Sequence, residues 1–144
     1  MNDMTALSLH TSIITLNING LNSPIKRHRV VRWIKEQDPT ICCLQETHLS
    51  SNNKHTLRGK GWKTVLQANN EQKKAGVAIL ISDKVDFKAK QIKRDKDGQF
   101  IMIKGALHQE DITLINAYSP NIGAPKYIKQ LLTNLKGDIN DNTV

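Results

Sequence analysis

Three polar clusters break otherwise apolar runs: Asn17 and Asn19 in LNING, Gln45 and Glu46 in QETH, and Asn116, Tyr118 and Asn121 in NAYSPN. A carboxylate beside an amide oxygen is a ligand pair for a hard divalent cation such as magnesium. That ion takes one or two such protein oxygens and draws the rest from water and phosphate. Glu46 and Asn17 are that pair if the chain brings them together. Each also has a plainer reading, Glu46 as a solvated strand end and Asn17 as the cap of a turn. The three clusters are candidates for one shared rim, because polar groups at the tips of adjacent strands are held rigidly while loops leave room for a ligand.

A shared rim needs three segments that end at the same edge. SIITLNI (12 to 18) reads as a strand closed by the turn signal Asn19-Gly20. Ser23-Pro24 then caps a helix with Arg27, Val30, Val31 and Ile34 at i, i+3, i+4 and i+7, stopped by Asp38-Pro39. Thr40 to Gln45 is a second strand, so the opening unit has the length of a parallel strand, helix, strand crossover. Beyond it, GWKTVLQA, GVAILIS, VDFKAKQIK, QFIMIKG and DITLINAY predict an antiparallel meander. Gly76 to Ile81 is continuously apolar, as a central strand would be, and Val85 to Lys93 alternates with Lys and Gln, as an edge would. Asp97-Gly98 is a hairpin turn. Ala124-Pro125 opens a second helix with Ile128, Leu131, Leu132 and Leu135 at i, i+3, i+4 and i+7. No further strand is evident between that helix and Asn142-Thr143-Val144. The fold class is therefore α/β, with two helices on mostly antiparallel sheet.

A length of 144 residues bounds this to one domain or a piece of one. Hydrophobic residues at 38% and charged ones at 24% describe a globular chain, while 4% aromatics predict modest stability. Twenty-one Lys and Arg against 13 Asp and Glu give a formal +8, so polyanions, nucleic acid first, are the partners to consider; a Lys-rich surface can also be merely solubilising. Cys42 and Cys43 are adjacent in a strand and point to opposite faces, which predicts two buried thiols rather than a disulfide. The first dozen residues lack a basic start and a continuous apolar stretch, and no run approaches membrane-spanning length. The expected setting is reducing and intracellular, in nucleus and cytoplasm, with no membrane contact and no obligate oligomer. Residues 1–11 are expected to be a disordered leader.

LNINGLNSPIKRHRVVRWIKEQDPTICCLQETHL, KKAGVAILISDK, IKRDKDGQFIMIKG and NAYSPNIGAPKYIKQLL closely resemble the endonuclease domain of the mammalian long-interspersed-element retrotransposon, the N-terminal domain of its second-open-reading-frame protein. That domain is of the endonuclease, exonuclease and phosphatase type, and the resemblance runs in one register from about Ile13 to Val144. It implies the N-terminal part of a two-layer α/β sandwich over 12–144, incomplete at its C-terminal side. It further implies magnesium-dependent nicking of DNA to prime reverse transcription, with an element RNA ribonucleoprotein as partner of the parent protein. Asn17 matches the family asparagine beside metal and scissile phosphate, Glu46 the metal-binding glutamate, Tyr118 the tyrosine whose hydroxyl contacts phosphate, and Asn121 the asparagine near the same group. Ala117 and Ser119 stand where the family more often has isoleucine or valine and alanine.

In this register the family's Gly-Asp-Phe-Asn motif, a later aspartate and the Ser-Asp-His segment lie beyond Val144. Gly137-Asp138-Ile139-Asn140 looks like the first of these but follows the helical run KQLLTNLK, so Gly137 reads as a helix terminator and Asp138 and Asn140 as polar loop residues. His10, His28, His48, His55 and His108 fall in the leader, first helix or loops, where surface positions are expected. Metal, base and charge-stabilising donors act as a unit in phosphodiester cleavage, so this chain alone is expected to be inactive. The other readings are a residual DNA-binding module, with Lys26, Arg27, Arg29, Arg32, Lys73, Lys74, Lys93 and Arg94 on phosphates, and an unstable relic with a protein partner. A halved sandwich is also expected to leave one sheet face uncovered, the second helix not sufficing to close it.

Overall fold

The computed structural model describes residues 11–49, 57, 61–69, 74–119 and 124–144. Residues 1–10 of the expected leader, with His10, and His55, Lys73 and Asn121 lie outside them.

Strand β1 (Ile13–Asn17) leads into helix α1 (Pro24–Gln37) and back to β2 (Ile41–Gln45). Ser23 caps the helix, accepting from the Lys26 amide, with Pro24 in the first turn, where its missing N–H costs nothing. Asp38, at φ 50°, ends it by donating its amide to the Ile34 carbonyl. The strands β1 and β2 run parallel, in register from Ile13 opposite Ile41 to Asn17 opposite Gln45. The crossover read from the sequence is present.

Strands β3 (Trp62–Ala68) and β4 (Val77–Ser82) complete a first sheet of order β1-β2-β4-β3. Its centre is β4, buried from Val77 to Ile81 as its unbroken apolar run requires. Strands β5 (Phe87–Arg94), β6 (Phe100–Leu107) and β7 (Glu110–Ala117) form a separate antiparallel sheet with β5 at its edge. The meander is thus divided between two sheets, a division that strand propensity alone does not encode. Helix α2 (Ala124–Asn134) and a 3-10 turn over Lys136–Asp138 follow.

Period-two alternation assigns the layers. Ile41, Val77, Ile79 and Ile81 point into the space between the sheets and meet Phe87, Ile101, Ile103, Leu107 and Leu114. Each such side chain, fully buried, contributes about 1.5–3 kcal/mol. Cys42, Leu44, Ala78 and Leu80 point the other way and pack with Ile34 of α1. Outside the second sheet, Met102 meets Leu131 and Leu135. The result is an α/β sandwich with one helix on each outer face. The sheets cover one another; what remains open is the inward face of β1, where Ile13 is 41% exposed and Thr15 and Asn17 are exposed with it.

Burial separates the adjacent cysteines as expected. Cys42 joins the helix-side core and Cys43 packs on the inter-sheet core, and both are free thiols. Burial pushes the first to about 12, with some help from its neighbour, and the second to about 11.

Three expectations are corrected near the C-terminus. Helix α2 buries Leu131, and Leu135 just after it is buried too, but Ile128 and Leu132 are exposed; Tyr127, four residues before Leu131, packs inward in their place. Gly137 is no left-handed terminator: it lies inside the 3-10 turn, and Asp138 pairs with Lys93 at 2.6 Å and Lys104 at 3.0 Å, pinning the turn to the second sheet. Those lysines hold the Asp138 carboxyl below its usual value. Third, the helix does lead to a strand partner. Thr143 bridges Thr113 in parallel, with Thr113 N–H donating to Asn142, Ile115 N–H to Val144, and Val144 N–H to Thr113.

Tyr127 carries a buried hydroxyl with no hydrogen-bond partner among the described residues, and its phenol is pushed up to about 12 by burial and then by the charge of Asp95. An unpaired buried hydroxyl costs about 1–3 kcal/mol. Tyr127→Phe is therefore expected to stabilise the protein by about 1 kcal/mol in urea unfolding; a lower midpoint would mean that the hydroxyl has a partner.

Candidate functional site

The parallel pairing of β1 and β2 sends both strand tips out at the same end, and their ladder continues past the strands. Ile18 N–H donates to Gln45 (3.0 Å), Gly20 N–H to Glu46 (2.7 Å) and Leu21 N–H to Thr47 (2.9 Å). Antiparallel β4 begins there, with Val77 opposite Gln45. From the other sheet, the Asn116 side chain reaches Leu44 at the same end. All three clusters singled out in the sequence therefore meet at one rim, save Asn121, which is not described.

The backbone at this rim is unusual. Glu46 (φ 53°) and His48 (φ 57°) both lie in the left-handed region, sparsely used by residues other than glycine. Such residues cost on the order of 1–3 kcal/mol each and persist where their surroundings over-determine them. Here Thr47 N–H donates to Gly76 (3.1 Å), His48 N–H to Ala75 (2.7 Å), and the Asn22 amide to the His48 carbonyl (2.8 Å). The outcome is that Glu46 and His48 face each other, Oε1 to Nε2 at 4.0 Å, each side chain about a fifth to a quarter exposed at 20% and 24%. Thr47 turns inward, its buried Oγ1 without a hydrogen-bond partner among the described residues. His48 is thus no surface residue. No glycine marks this left-handed stretch, so the sequence carries no signal for that place.

Tyr118 follows β7, packs against the inter-sheet core, and has its hydroxyl within interaction range of Glu46. Burial first, then that carboxylate, hold the phenol above its usual value, so it stays protonated as a donor. Asn17 is exposed on the tip of β1, across from Gln45. Behind them runs a polar network. The Gln45 side-chain amide donates to Thr15 Oγ1 (2.9 Å) and Asn116 Oδ1 (2.7 Å), while Asn116 Nδ2 donates to the carbonyls of Leu44 (3.0 Å) and Ala78 (2.8 Å). Asn116 and Gln45 thereby support the rim and join the two sheets.

Among the described residues no group of three or more His, Cys, Asp or Glu gathers as a metal cage. Glu46 there has His48 as its one ionic neighbour. Several cations proposed for phosphate contact are engaged elsewhere: Arg27 donates to the Leu21 carbonyl, Arg94 to that of Gln67, and Lys93 pairs with Asp138. Lys26 lies close to the rim, its ammonium on the Asn19 carbonyl at 3.0 Å.

Two facing sheets with outer helices and a polar rim at the strand tips define a two-layer α/β sandwich. The chain belongs to the endonuclease/exonuclease/phosphatase family, whose sequence model matches residues 14–141. Among solved structures it is similar to an AP endonuclease from Archaeoglobus fulgidus, with 24% identity and a TM-score of 0.64 over 90% of this chain and 52% of that one. It is similar also to D. rerio TDP2 complexed with single-strand DNA product, with 10% identity and a TM-score of 0.66 over 92% of this chain and 57% of that one. A third is the endonuclease domain of TRAS1, a telomere-specific non-LTR retrotransposon, with 12% identity and a TM-score of 0.62 over 92% of this chain and 56% of that one. The chain thus spans about half the length of these structures.

Proposed function

We propose that this chain is the cation- and phosphate-facing part of a retrotransposon DNA endonuclease, of the mammalian long-interspersed-element kind that nicks target DNA to prime reverse transcription, and that alone it binds DNA without cutting it. The observation that carries this reading is the meeting of Glu46, His48 and Tyr118, drawn from two sheets, around a carboxylate with no lysine or arginine partner among the described residues. The likeness to a retrotransposon endonuclease domain supports it.

The donors suit magnesium. Glu46 and Asn17 offer hard oxygens, few in number, as an ion that keeps most of its waters requires. A magnesium ion held there would neutralise phosphate charge and polarise the phosphoryl group. The chain's own groups do the remaining work: the Tyr118 hydroxyl donates toward a phosphate oxygen or Glu46, and the fixed Gln45–Asn116 network keeps the rim from collapsing. Among the described residues, a second carboxylate to position water or take its proton is not gathered at this rim. Losing a general acid or base costs about 10²–10⁴ in rate each, which leaves no useful turnover. In the parent protein, DNA and an element ribonucleoprotein are the partners, in nucleus and cytoplasm.

Duplex DNA binding followed by anisotropy tests this. Magnesium is expected to tighten binding, and Glu46→Ala to abolish the magnesium-dependent part, a change of roughly tenfold, the scale of one charge-assisted contact. Plasmid nicking is expected to be absent. Metal-dependent scission lost in Glu46→Ala would refute the inactivity, and binding indifferent to magnesium would refute the cation site.

A further inference from the structure

Helix α1 presents a second feature outside the rim. Over PIKRHRVVRWIKEQ it carries five cations, Lys26, Arg27, Arg29, Arg32 and Lys35, against Glu36 alone. Val31 and Ile34 anchor it to the sheet, yet two large apolar side chains point out: Ile25 is 69% exposed and Trp33 42%. Tryptophan is highly buried on average, and Trp33 belongs to none of the core clusters. Lys26, Arg29 and Trp33 stand at i, i+3 and i+7, on one flank of the helix over about 10 Å. Lys26 is the end of that flank nearest the rim, through Asn19. Arg32 is exposed beside it, its guanidinium sharing Glu36 at 3.3 Å, an exposed pair that costs little to release.

We infer that this flank of α1 binds single-stranded nucleic acid, one unpaired base stacking on Trp33 and adjacent phosphates meeting Arg29 and Arg32, as an extension of the rim beyond Lys26. The inference rests on the reading of the rim as a nucleic-acid site. Charge names the occupant: an arginine-flanked aromatic face matches a polyanion that also carries flat π surfaces. Two apolar side chains two turns apart, with Arg29 between them, form no continuous stripe for insertion into lipid.

Anisotropy of a short fluorescein-labelled oligothymidylate reads the outcome, with duplex DNA measured in parallel. Trp33→Ala is expected to weaken oligothymidylate about tenfold while Trp33→Phe retains most of the affinity. Arg29→Ala is expected to lower the slope of log affinity against log salt by about 0.7, one phosphate contact on a single strand. Lys88→Ala, on the far edge of the second sheet, leaves both unchanged. Normal duplex binding with oligothymidylate affinity indifferent to Trp33→Ala overturns the α1 flank and leaves the rim standing. Failure to bind either nucleic acid overturns both. Co-sedimentation with phosphatidylserine vesicles that is lost in Trp33→Ala, without oligothymidylate binding, assigns the flank to an anionic membrane and overturns the inference equally.

Discussion

Replacing Asn116 with leucine is expected to remove about 3–5 kcal/mol of stability, enough to unfold a large fraction of a domain whose whole stability is of that order. Asn116 is 3% exposed and fully engaged: its amide donates to Leu44 and Ala78 carbonyls on the first sheet, and its oxygen accepts from Gln45. Leucine keeps the branching and heavy-atom count of asparagine, so the loss falls mainly on the hydrogen bonds. Three hydrogen bonds are lost at about 1 kcal/mol each, and an apolar side chain is set against the polar groups that made them. Asn116→Asp keeps the acceptor for Gln45 but turns an anion on two carbonyls, and is expected to be at least as damaging. Urea unfolding measures both. A loss under 1 kcal/mol for Asn116→Leu would show that the sheets are held by their apolar faces alone.

Gly76→Ala is the second large effect, at about 3 kcal/mol. Gly76 has φ 104°, and a Cβ built there lies 2.3 Å from Thr47 Oγ1 and 3.4 Å from the His48 amide nitrogen. Backbone strain for a residue with Cβ and overpacking each contribute on the order of 1–3 kcal/mol. Thr47→Ala removes the hydroxyl and leaves the strain, so Gly76→Ala with Thr47→Ala is expected to recover about half the loss, an interaction energy of about 1–2 kcal/mol in a double-mutant cycle. Strict additivity would count against the clash. Because Gly76 also accepts from Thr47 N–H between the two left-handed residues, the single substitution is expected to disturb Glu46 and weaken magnesium-dependent DNA binding.

Much of the scaffold could be read from the chain because its signals are local. Ser23-Pro24 and Asp38-Pro39 bracket α1, the unbroken run Val77–Ile81 marks the central strand, and the lysines of β5 mark an edge. Register did the rest: parallel strands ending at Asn17 and Gln45 place Asn17 and Glu46 at the same end. Other features rest on partners distant in sequence. Which sheet a strand joins is decided by packing, so one meander became two sheets. The left-handed backbone at Glu46 and His48 carries no glycine to announce it, which is why His48 passed for a surface residue. In α2, Ile128 and Leu132 fit a helical stripe as well as Leu131 and Leu135 do, and only the position of Met102 selects between them. Three residues at Asn142–Val144 are too few for periodicity to signal a strand.

The sheet margins differ in how they are guarded against neighbouring molecules. Strand β5 presents Lys88, Lys90 and Lys93 and a register shift between Ala89 and Gln91, both poor templates for an incoming chain. Strand β7 is capped over Thr113 to Ile115 by Asn142–Val144. Strand β1, at the margin of the first sheet, has neither safeguard among the described residues, and Ile13 and Thr15 are exposed on its inward face. In concentrated solution, aggregation would therefore nucleate along Ile13–Asn17, and Ile13→Lys is where solubility would be gained at least cost to the interior.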